Sequence, residues 1–344
     1  MDRKLEMVVH GRGNAWPVPL GEEHPFYNRK DPSDLSNASY SLQLRDRDGL
    51  RGSLLIDAGH GTVQSLLGGD NRIPDCICLT HGHLDHTLSV DWVVQSFWRK
   101  HNKEKRYPIY ATFPVYRFLL QSYPHLEDLT EHLELQYGRS LAPLPDLPLK
   151  LTAFPAYHGQ SALGASMLLF EYNGRRILFT GDILAPLLRR EDYARLRGID
   201  MLVVDANNRF PWPRTNHWSI AGSPSHPLKR SLTLEEFVDA LDWTLVSEPQ
   251  LQEGISAHNK AFLSQLGQEW DPAGLPLTIL EFMDRIEPGK VMLVHYSGAE
   301  DRKYSDEDLL SASGLENWAS RTAERHDIPG EIMVPANGQR ILVN

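Results

Sequence analysis

The sequence has few cysteines and no long apolar run, and both features exclude classes of protein. Cys76 and Cys78 are the only cysteines among the 344 residues, too few for a disulfide framework. Their spacing of two places them on one face of a predicted strand, where we expect them to pack in the core. No window approaches the roughly eighteen apolar residues of a membrane span, and the N-terminus shows no apolar signal region. We therefore expect a protein of the reducing cytoplasm with no membrane partner.

The sequence also lacks an excess of positive charge. Lysine and arginine number 35 against 45 acidic residues, which gives a formal net charge of −10. A protein that grips long nucleic acid usually carries a basic face, because binding displaces the counterions of the phosphates. A local basic groove is compatible with this net charge, but the balance favours a small substrate over folded nucleic acid.

Strand patterns alternate with helical patterns along the chain, which predicts an α/β protein. The first forty residues are rich in Gly and Pro and indicate loops. We predict strands at 39–44, 53–59, 76–80, 149–154, 166–172, 176–180, 201–205 and 291–295, helices at 91–100, 115–122, 232–246 and 275–285, and a closing strand pair within 331–344. Residues 206–230, rich in Pro, Asn, Ser and Trp, are predicted to form a long loop. Histidines and aspartates lie just past the strand ends, where α/β folds place their catalytic and binding residues.

The strongest signal is a dense group of metal-ligating side chains directly after a predicted strand. The segment His81-Gly82-His83-Leu84-Asp85-His86 offers three imidazoles and one carboxylate within six residues. In an extended segment His81 and His83 point to one side, which leaves Asp85 and His86 free to turn towards a second ion. Imidazole and carboxylate suit zinc, manganese or iron. This density favours a metal site over a solvated polar loop.

This loop resembles the signature loop of the metallo-β-lactamase superfamily, and further motifs of that family recur in the family's order. They are Leu55-Ile56-Asp57-Ala58-Gly59, Tyr157-His158-Gly159, Phe179-Thr180-Gly181-Asp182 and Val294-His295-Tyr296-Ser297. The resemblance covers about residues 8–344. It implies a four-layer αββα sandwich formed by a single domain over 1–344, with an insertion or cap region at about 206–290.

The resemblance also implies two divalent metal ions, with zinc expected first and manganese or iron as alternatives. By this resemblance the first ion is held by His81, His83 and His158, the second by Asp85, His86 and His295, and Asp182 bridges both. Two ions about 3.5–4 Å apart can share a hydroxide and stabilise both the attacking and the leaving oxygen. Asp57 is expected to orient the ligand loop through a hydrogen bond.

Three segments are similar to the phosphodiesterase branch of the superfamily, which includes the tRNA 3′-processing ribonuclease and the cyclic phosphodiesterase of phosphonate breakdown. They are the opening Gly11-Arg12-Gly13-Asn14-Ala15-Trp16-Pro17, the segment that begins at His158-Gly159-Gln160, and His295-Tyr296-Ser297. The Gly-His-Thr-Pro-Gly motif of glyoxalase-type thioesterases is missing around His158, and no flavodoxin-like domain follows. The resemblance therefore favours a phosphodiester substrate.

A fourth segment resembles the one that is expected to supply a general acid in this branch. Met201 to Asp205, followed by Asn216-His217-Trp218-Ser219, is similar to the strand and His-x-Ser segment of that branch. The resemblance implies that His217, oriented by Asp205, protonates the leaving oxygen, as cleavage of a phosphodiester requires. His226 is the substitute for this role, and a purely structural histidine packed beside Trp212 and Trp218 is the alternative.

These inferences predict a dinuclear metal-dependent hydrolase of small or cyclic, nucleotide-like phosphodiesters that acts through a metal-bridging hydroxide. The predicted catalytic residues are Asp85, Asp182, His217 and Asp205. A lactone or ester hydrolase with the same metal site is the first alternative, and a metal-containing scaffold protein without turnover is the second. Family habit also allows a homodimer.

Overall fold

The structure is a computed structural model that describes residues 4–18, 20–24, 26–158, 162–183, 185–206, 279–296 and 311–343. The strands are β1 (Lys4–Gly11), β2 (Ser39–Asp46), β3 (Gly49–Ile56), β4 (Cys76–Cys78), β5 (Tyr107–Ala111), β6 (Thr130–Glu134), β7 (Ser140–Leu141), β8 (Leu149–Tyr157), β9 (Ser166–Tyr172), β10 (Arg175–Phe179), β11 (Ala185–Pro186), β12 (Met201–Asp205), β13 (Lys290–Val294), β14 (Glu331–Met333) and β15 (Arg340–Val343). The helices are α1 (Thr62–Gly68), α2 (Leu84–Thr87), α3 (Val90–Lys100), α4 (Phe113–Ser122), α5 (Leu126–Leu129), α6 (Arg190–Leu196), α7 (Ile279–Ile286) and α8 (Ala312–Arg325).

The strands form two mixed sheets. The first has the order β15-β1-β2-β3-β4-β5-β6, antiparallel from β15 to β3 and parallel from β3 to β6. The second has the order β11-β8-β9-β10-β12-β13-β14, antiparallel up to β10 and parallel beyond it, and β7 pairs with β8 outside this path. Each sheet therefore has a parallel half, whose strands all end at the same edge of the sheet.

The two sheets pack face to face, with helices on both outer faces. Between the sheets, side chains of β2 and β3 such as Leu42 and Ile56 share one core with Phe170 and Val203 of the second sheet. Helices α3 and α4 cover the outer face of the first sheet. Helices α7 and α8 cover the outer face of the second. The order helix, sheet, sheet, helix confirms the predicted αββα sandwich.

Two sequence expectations about the chain ends are wrong. Lys4–Gly11 forms strand β1 where we expected loops, because Leu5, Met7 and Val9 alternate with outward residues and bury into the core between the sheets. The predicted closing strand pair is divided between the sheets. β14 pairs with β13 and β15 pairs with β1, since each strand meets the open edge of a different sheet.

The predicted insertion or cap region at about 206–290 remains a prediction, because residues 207–278 lie outside the described residues. The helix predicted at 232–246 falls in this range. The helix predicted at 275–285 is present as α7, at Ile279–Ile286. In the part of the chain that the structure describes, no helix has the length and apolar character needed to cross a membrane.

Candidate metal centre

The predicted metal ligands follow the carboxyl ends of strands from both sheets. The segment His81 to His86 comes after β4 of the first sheet and runs into α2. His158, Asp182 and His295 follow β8, β10 and β13 of the second sheet. Since the two sheets face each other, these loops meet at one edge of the sandwich.

The structure brings the seven predicted ligands together in two groups. Nitrogen atoms of His81, His83 and His158 form one group, in which all pairs of atoms lie within 4.8 Å. One ligand atom each of Asp85, His86, Asp182 and His295 form the second, within the same limit. The resemblance assigned the same residues to a first and a second metal, and that assignment stays a prediction.

Asp182 lies between the two groups. Its Oδ2 is 3.6 Å from Nε2 of His158 in the first group and 3.2 Å from Nε2 of His295 in the second. Its Oδ1 is 3.2 Å from Nε2 of His86. A carboxylate in this position can offer one oxygen to each of two cations, which offsets part of their mutual repulsion.

The electrostatics of the second group attract positive charge. Burial alone lowers the pKa of His86, but Asp182, Asp85 and Asp57 together raise that pKa well above its ordinary value. Burial raises the pKa of Asp182, yet the imidazoles of His295, His86 and His81 outweigh it and hold this pKa well below its usual range. Divalent ions would supply this positive charge in place of the imidazole protons, which metal binding displaces.

In the first group, His81 presents a neutral imidazole. Burial, together with the neighbouring His86 and His83, lowers the pKa of His81 well below its ordinary value. Nδ1 of His81 is 3.1 Å from Oγ1 of Thr80, and its Nε2 is buried without a hydrogen-bond partner among the described residues. A buried imidazole nitrogen of this kind fits a metal ion, so the residues present suit the divalent ions that the motifs imply.

Asp57 orients the ligand loop as predicted. Its Oδ1 accepts a hydrogen bond from the backbone N–H of Thr80 at 2.8 Å, and its Oδ2 accepts one from Oγ1 of Thr80 at 2.7 Å. Oδ2 also lies 2.8 Å from Nδ1 of His86, which leaves Nε2 of that ring towards the centre. Such carboxylate–imidazole contacts fix the ring orientation and raise the basicity of the ligand. Sequence reasoning did not identify Thr80, although it stands directly before the signature loop.

Asp205 lies beside a predicted ligand. It ends β12 and is almost completely buried, and its Oδ2 accepts a hydrogen bond from the N–H of Ile183 at 3.1 Å. Its Oδ1 is 3.7 Å from Nδ1 of His295. His217 lies outside the described residues, as do His226, Trp212 and Trp218. The predicted pairing of Asp205 with His217 therefore stays a prediction.

The backbone around the centre is tightly constrained. His295 has a φ of 60°, which is uncommon for a residue with a side chain, and its N–H donates to the carbonyl of Arg12 at 2.7 Å. Gly59 approaches the ligand loop so closely that a Cβ atom there would lie 1.8 Å from the carbonyl oxygen of Asp85. Strained conformations and close backbone contacts of this kind cluster at functional sites because the surrounding structure must enforce them.

The protein resembles nucleases and phosphatases of known sequence or structure. The endoribonuclease YSH1 of Candida glabrata is 25% identical over 209 residues, which cover 53% of this chain but only 26% of the relative. The chain thus spans about a quarter of the length of this curated relative. The predictions of a hydrolytic enzyme and of the nuclease and phosphodiesterase branch agree with these comparisons.

Two solved structures share the fold over nearly the whole chain. A diphosphatase from the PhnP family has a TM-score of 0.55 at 17% identity, with 98% of this chain and 97% of that one covered. The short form of human tRNase Z has a TM-score of 0.52 at 13% identity, with 98% and 99% covered. The family model described as the beta-lactamase superfamily domain matches residues 53–241, which hold every predicted ligand except His295. Because this match covers more than half of the chain, the protein belongs to the β-lactamase superfamily, as its motifs predicted.

Proposed function

We propose that the protein is a dinuclear metal-dependent phosphodiesterase. One observation carries this proposal: two groups of ligand atoms, each compact enough for one ion, meet at the carboxylate of Asp182. The fold implies divalent metal ions, and this donor set suits zinc first, with manganese or iron as alternatives. The proposed ligands are His81, His83, Asp85, His86, His158, Asp182 and His295.

The chain's own residues prepare the site for hydrolysis. When bound, the divalent ions supply Lewis-acid stabilisation of the phosphate oxygens and activate a water molecule. Asp57 and Thr80 hold the rings of His86 and His81, and Asp205 faces the ring of His295, so that the ligands keep their orientation as charge develops. His217 is the proposed general acid for the leaving oxygen.

The acidic net charge supports a small or cyclic, nucleotide-like phosphodiester as the substrate. RNA is the second candidate substrate, and a specific observation favours it: the YSH1 relative is named an endoribonuclease. Both substrates contain the same phosphodiester bond, so they make the same demands on the metal centre. Cleavage of RNA also requires a protein surface that contacts the rest of the polymer, whereas cleavage of a small diester does not.

Metal analysis and a substrate panel test this proposal together. The purified chain would be analysed for bound metal and then assayed, with zinc and with manganese, on an activated aryl phosphodiester, cyclic mononucleotides and short RNA. We expect two metals per chain and hydrolysis of the small diesters. Asp182→Ala provides the inactive control, and Asp48→Ala, in the exposed turn between β2 and β3, provides the matched surface control.

Each other result points to a different function. Faster cleavage of RNA than of small diesters would make RNA the substrate. Two bound metals together with turnover of lactones or esters alone would identify the lactone or ester hydrolase. A chain that binds no metal would contradict the proposal.

A further inference from the structure

A loop near the N-terminus packs against the strand end that carries the proposed ligand His295, and the proposed mechanism does not use it. The loop follows β1 and precedes β2. Two of its residues, Phe26 and Tyr27, contact Tyr296, the residue after His295. The rings of Phe26 and Tyr296 pack at 4.5 Å between centroids, and the hydroxyl group of Tyr27 donates to the carbonyl of Tyr296. The loop thus holds the backbone directly after a proposed metal ligand.

The backbone at this point has an unusual conformation. His295 has a φ of 60°, in the left-handed region that few residues with a side chain adopt. The chain is extended up to Val294, so the turn at His295 sets the direction of its imidazole. Nε2 of this ring lies 3.2 Å from Oδ2 of Asp85 and 3.2 Å from Oδ2 of Asp182. A backbone conformation of this kind persists only where the surrounding contacts enforce it, so the bonds on each side of His295 affect the position of its ring.

Two hydrogen bonds hold the two sides of this turn. The N–H of His295 donates to the carbonyl of Arg12 at 2.7 Å, and the carbonyl of Tyr296 accepts from Tyr27. The first bond needs only main-chain atoms, whereas the second depends on one side chain. Tyr27 is 2% exposed, and burial raises the pKa of its phenol above the usual range. The hydroxyl group therefore keeps its proton and acts as a donor.

Arg12 also holds the aromatic rings of this loop in place. Its guanidinium lies 4.8 Å from the centroid of the Phe26 ring and 5.8 Å from that of the Tyr27 ring. A cation in this position is attracted to the faces of the rings. The guanidinium is in turn fixed by Asp34 at 3.0 Å and by the carbonyl of Pro335 at 2.8 Å. The hydroxyl group of Tyr27 is therefore held in one position by its surroundings.

We infer that Tyr27 is a positioning residue of the metal centre and acts through the backbone at His295. Its phenol donates to the carbonyl of Tyr296 and so keeps His295 in the left-handed conformation that directs Nε2 towards Asp85 and Asp182. The effect of Tyr27 reaches the reaction through the placement of His295. The inference rests on the proposed function and adds a residue to the support of its metal centre.

The test is Tyr27→Phe, which removes the hydroxyl group and keeps the ring. Zinc affinity would be measured for both sites by competition with a chelator, and the cobalt-substituted protein would report ligand geometry through its visible absorption spectrum. We expect binding at the second site to weaken about tenfold, the lower end of the usual effect of an outer-shell partner. We expect the first site to be unchanged and the cobalt spectrum to change, because His295 is a proposed ligand of the second metal.

Tyr107→Phe is the matched control. Tyr107 is also buried, and its hydroxyl group donates to a main-chain carbonyl, that of Pro74, at 3.0 Å. This bond precedes β4 and β5, at the opposite ends of these strands from the ligand loop. The control should lose thermal stability while both metal affinities and the cobalt spectrum stay as in the wild type. If Tyr27→Phe behaves like Tyr107→Phe, the inference is overturned.

Two further outcomes separate this inference from the proposed function. A wild-type chain that binds no metal would overturn both. A wild-type chain with two metals and phosphodiester turnover, together with unchanged metal binding in Tyr27→Phe, would overturn the inference alone.

If Tyr27→Phe does not fold, Phe26→Leu takes its place. This variant removes the ring contact with Tyr296 and leaves the hydroxyl group of Tyr27. We expect a smaller loss of zinc affinity that is confined to the second site. Equal losses at both sites, or no loss at either, would overturn the inference.

Discussion

Nδ1 of His86 lies 2.8 Å from Oδ2 of Asp57, so one carboxylate fixes the ring that points its other nitrogen into the metal centre. The same carboxylate also accepts two hydrogen bonds from Thr80. Asp57 therefore ties the strand end of β3 to the start of the ligand loop. This contact joins two motifs that are more than twenty residues apart in the sequence.

Asp57→Asn should weaken the second metal site. The amide keeps the size of the side chain but loses the negative charge that orients and polarises His86. We expect metal affinity at that site to fall about 10- to 100-fold, the usual effect of losing an outer-shell partner. Chelator competition measures the affinity, and Asp48→Asn in the exposed β2–β3 turn is the control. Equal affinities in both variants would show that Asp57 serves only the fold.

Asp182→Ala should lose the second metal and nearly all turnover. Asp182 faces both groups of proposed ligands, so its loss would remove the carboxylate proposed to serve both metals and to offset part of their charge. Metal content and kcat on an activated phosphodiester are the measurements. Full activity with one tightly bound metal would contradict the dinuclear arrangement.

The metal-free protein should lose stability as the pH rises, and the metal-loaded protein should not. Carboxylates raise the pKa of His86 well above its ordinary 6.5, so protonated His86 stabilises the fold fully below pH 6.5. That contribution is lost as the pH rises through the raised pKa. The lowered pKa of Asp182 has the opposite effect, because it makes the fold lose stability as the pH falls. This loss occurs only below the ordinary pKa of 3.8. Thermal unfolding with chelator and with zinc checks this when it is measured upward from about one pH unit above 6.5, because the lowered pKa of His81 makes stability rise with pH below that range; parallel curves would count against it.

Gly181→Ala should destabilise the fold and disturb the centre. Gly181 has a φ of 58°, and a Cβ atom there would lie 2.6 Å from Cβ of Thr80. Gly174→Ala is the control, because its φ is 78° but its added Cβ would contact nothing within 4 Å. We expect about 1 kcal/mol of backbone strain from the control and clearly more from Gly181→Ala, with weaker metal binding. Chemical denaturation compares the two, and equal losses would show that Thr80 moves aside freely.

His217→Ala should slow substrates with poor leaving groups most and leave metal binding unchanged. A general acid matters most when the departing alkoxide is basic, and hardly at all for an activated aryl group. Rates on a series of phosphodiesters with different leaving-group pKa values measure this dependence. Equal slowing across the series would assign His217 a structural role.

The proposed metal ligands could be picked out from the sequence because each stands in a short motif at a strand end. The segment His81 to His86 is nearly complete by itself, and His158, Asp182 and His295 each follow an apolar run that forms a strand. The antiparallel pairing of β9 with β10 is equally local, because the Asn173-Gly174 dipeptide between them is a strong hairpin signal. The pairing of the two C-terminal strands could not be predicted from local sequence, because β14 and β15 pair with strands of different sheets.

The sequence by itself determined the ligand types, their order and the strand ends that carry them, since periodicity and residue chemistry are local properties. Tertiary structure alone decided which atoms face each other. It placed Asp182 between the two groups and turned Asp205 towards His295. These relationships depend on how two sheets stack and on which strands become neighbours. That packing depends on many weak contacts between residues that are far apart in the sequence, so no single motif predicts it.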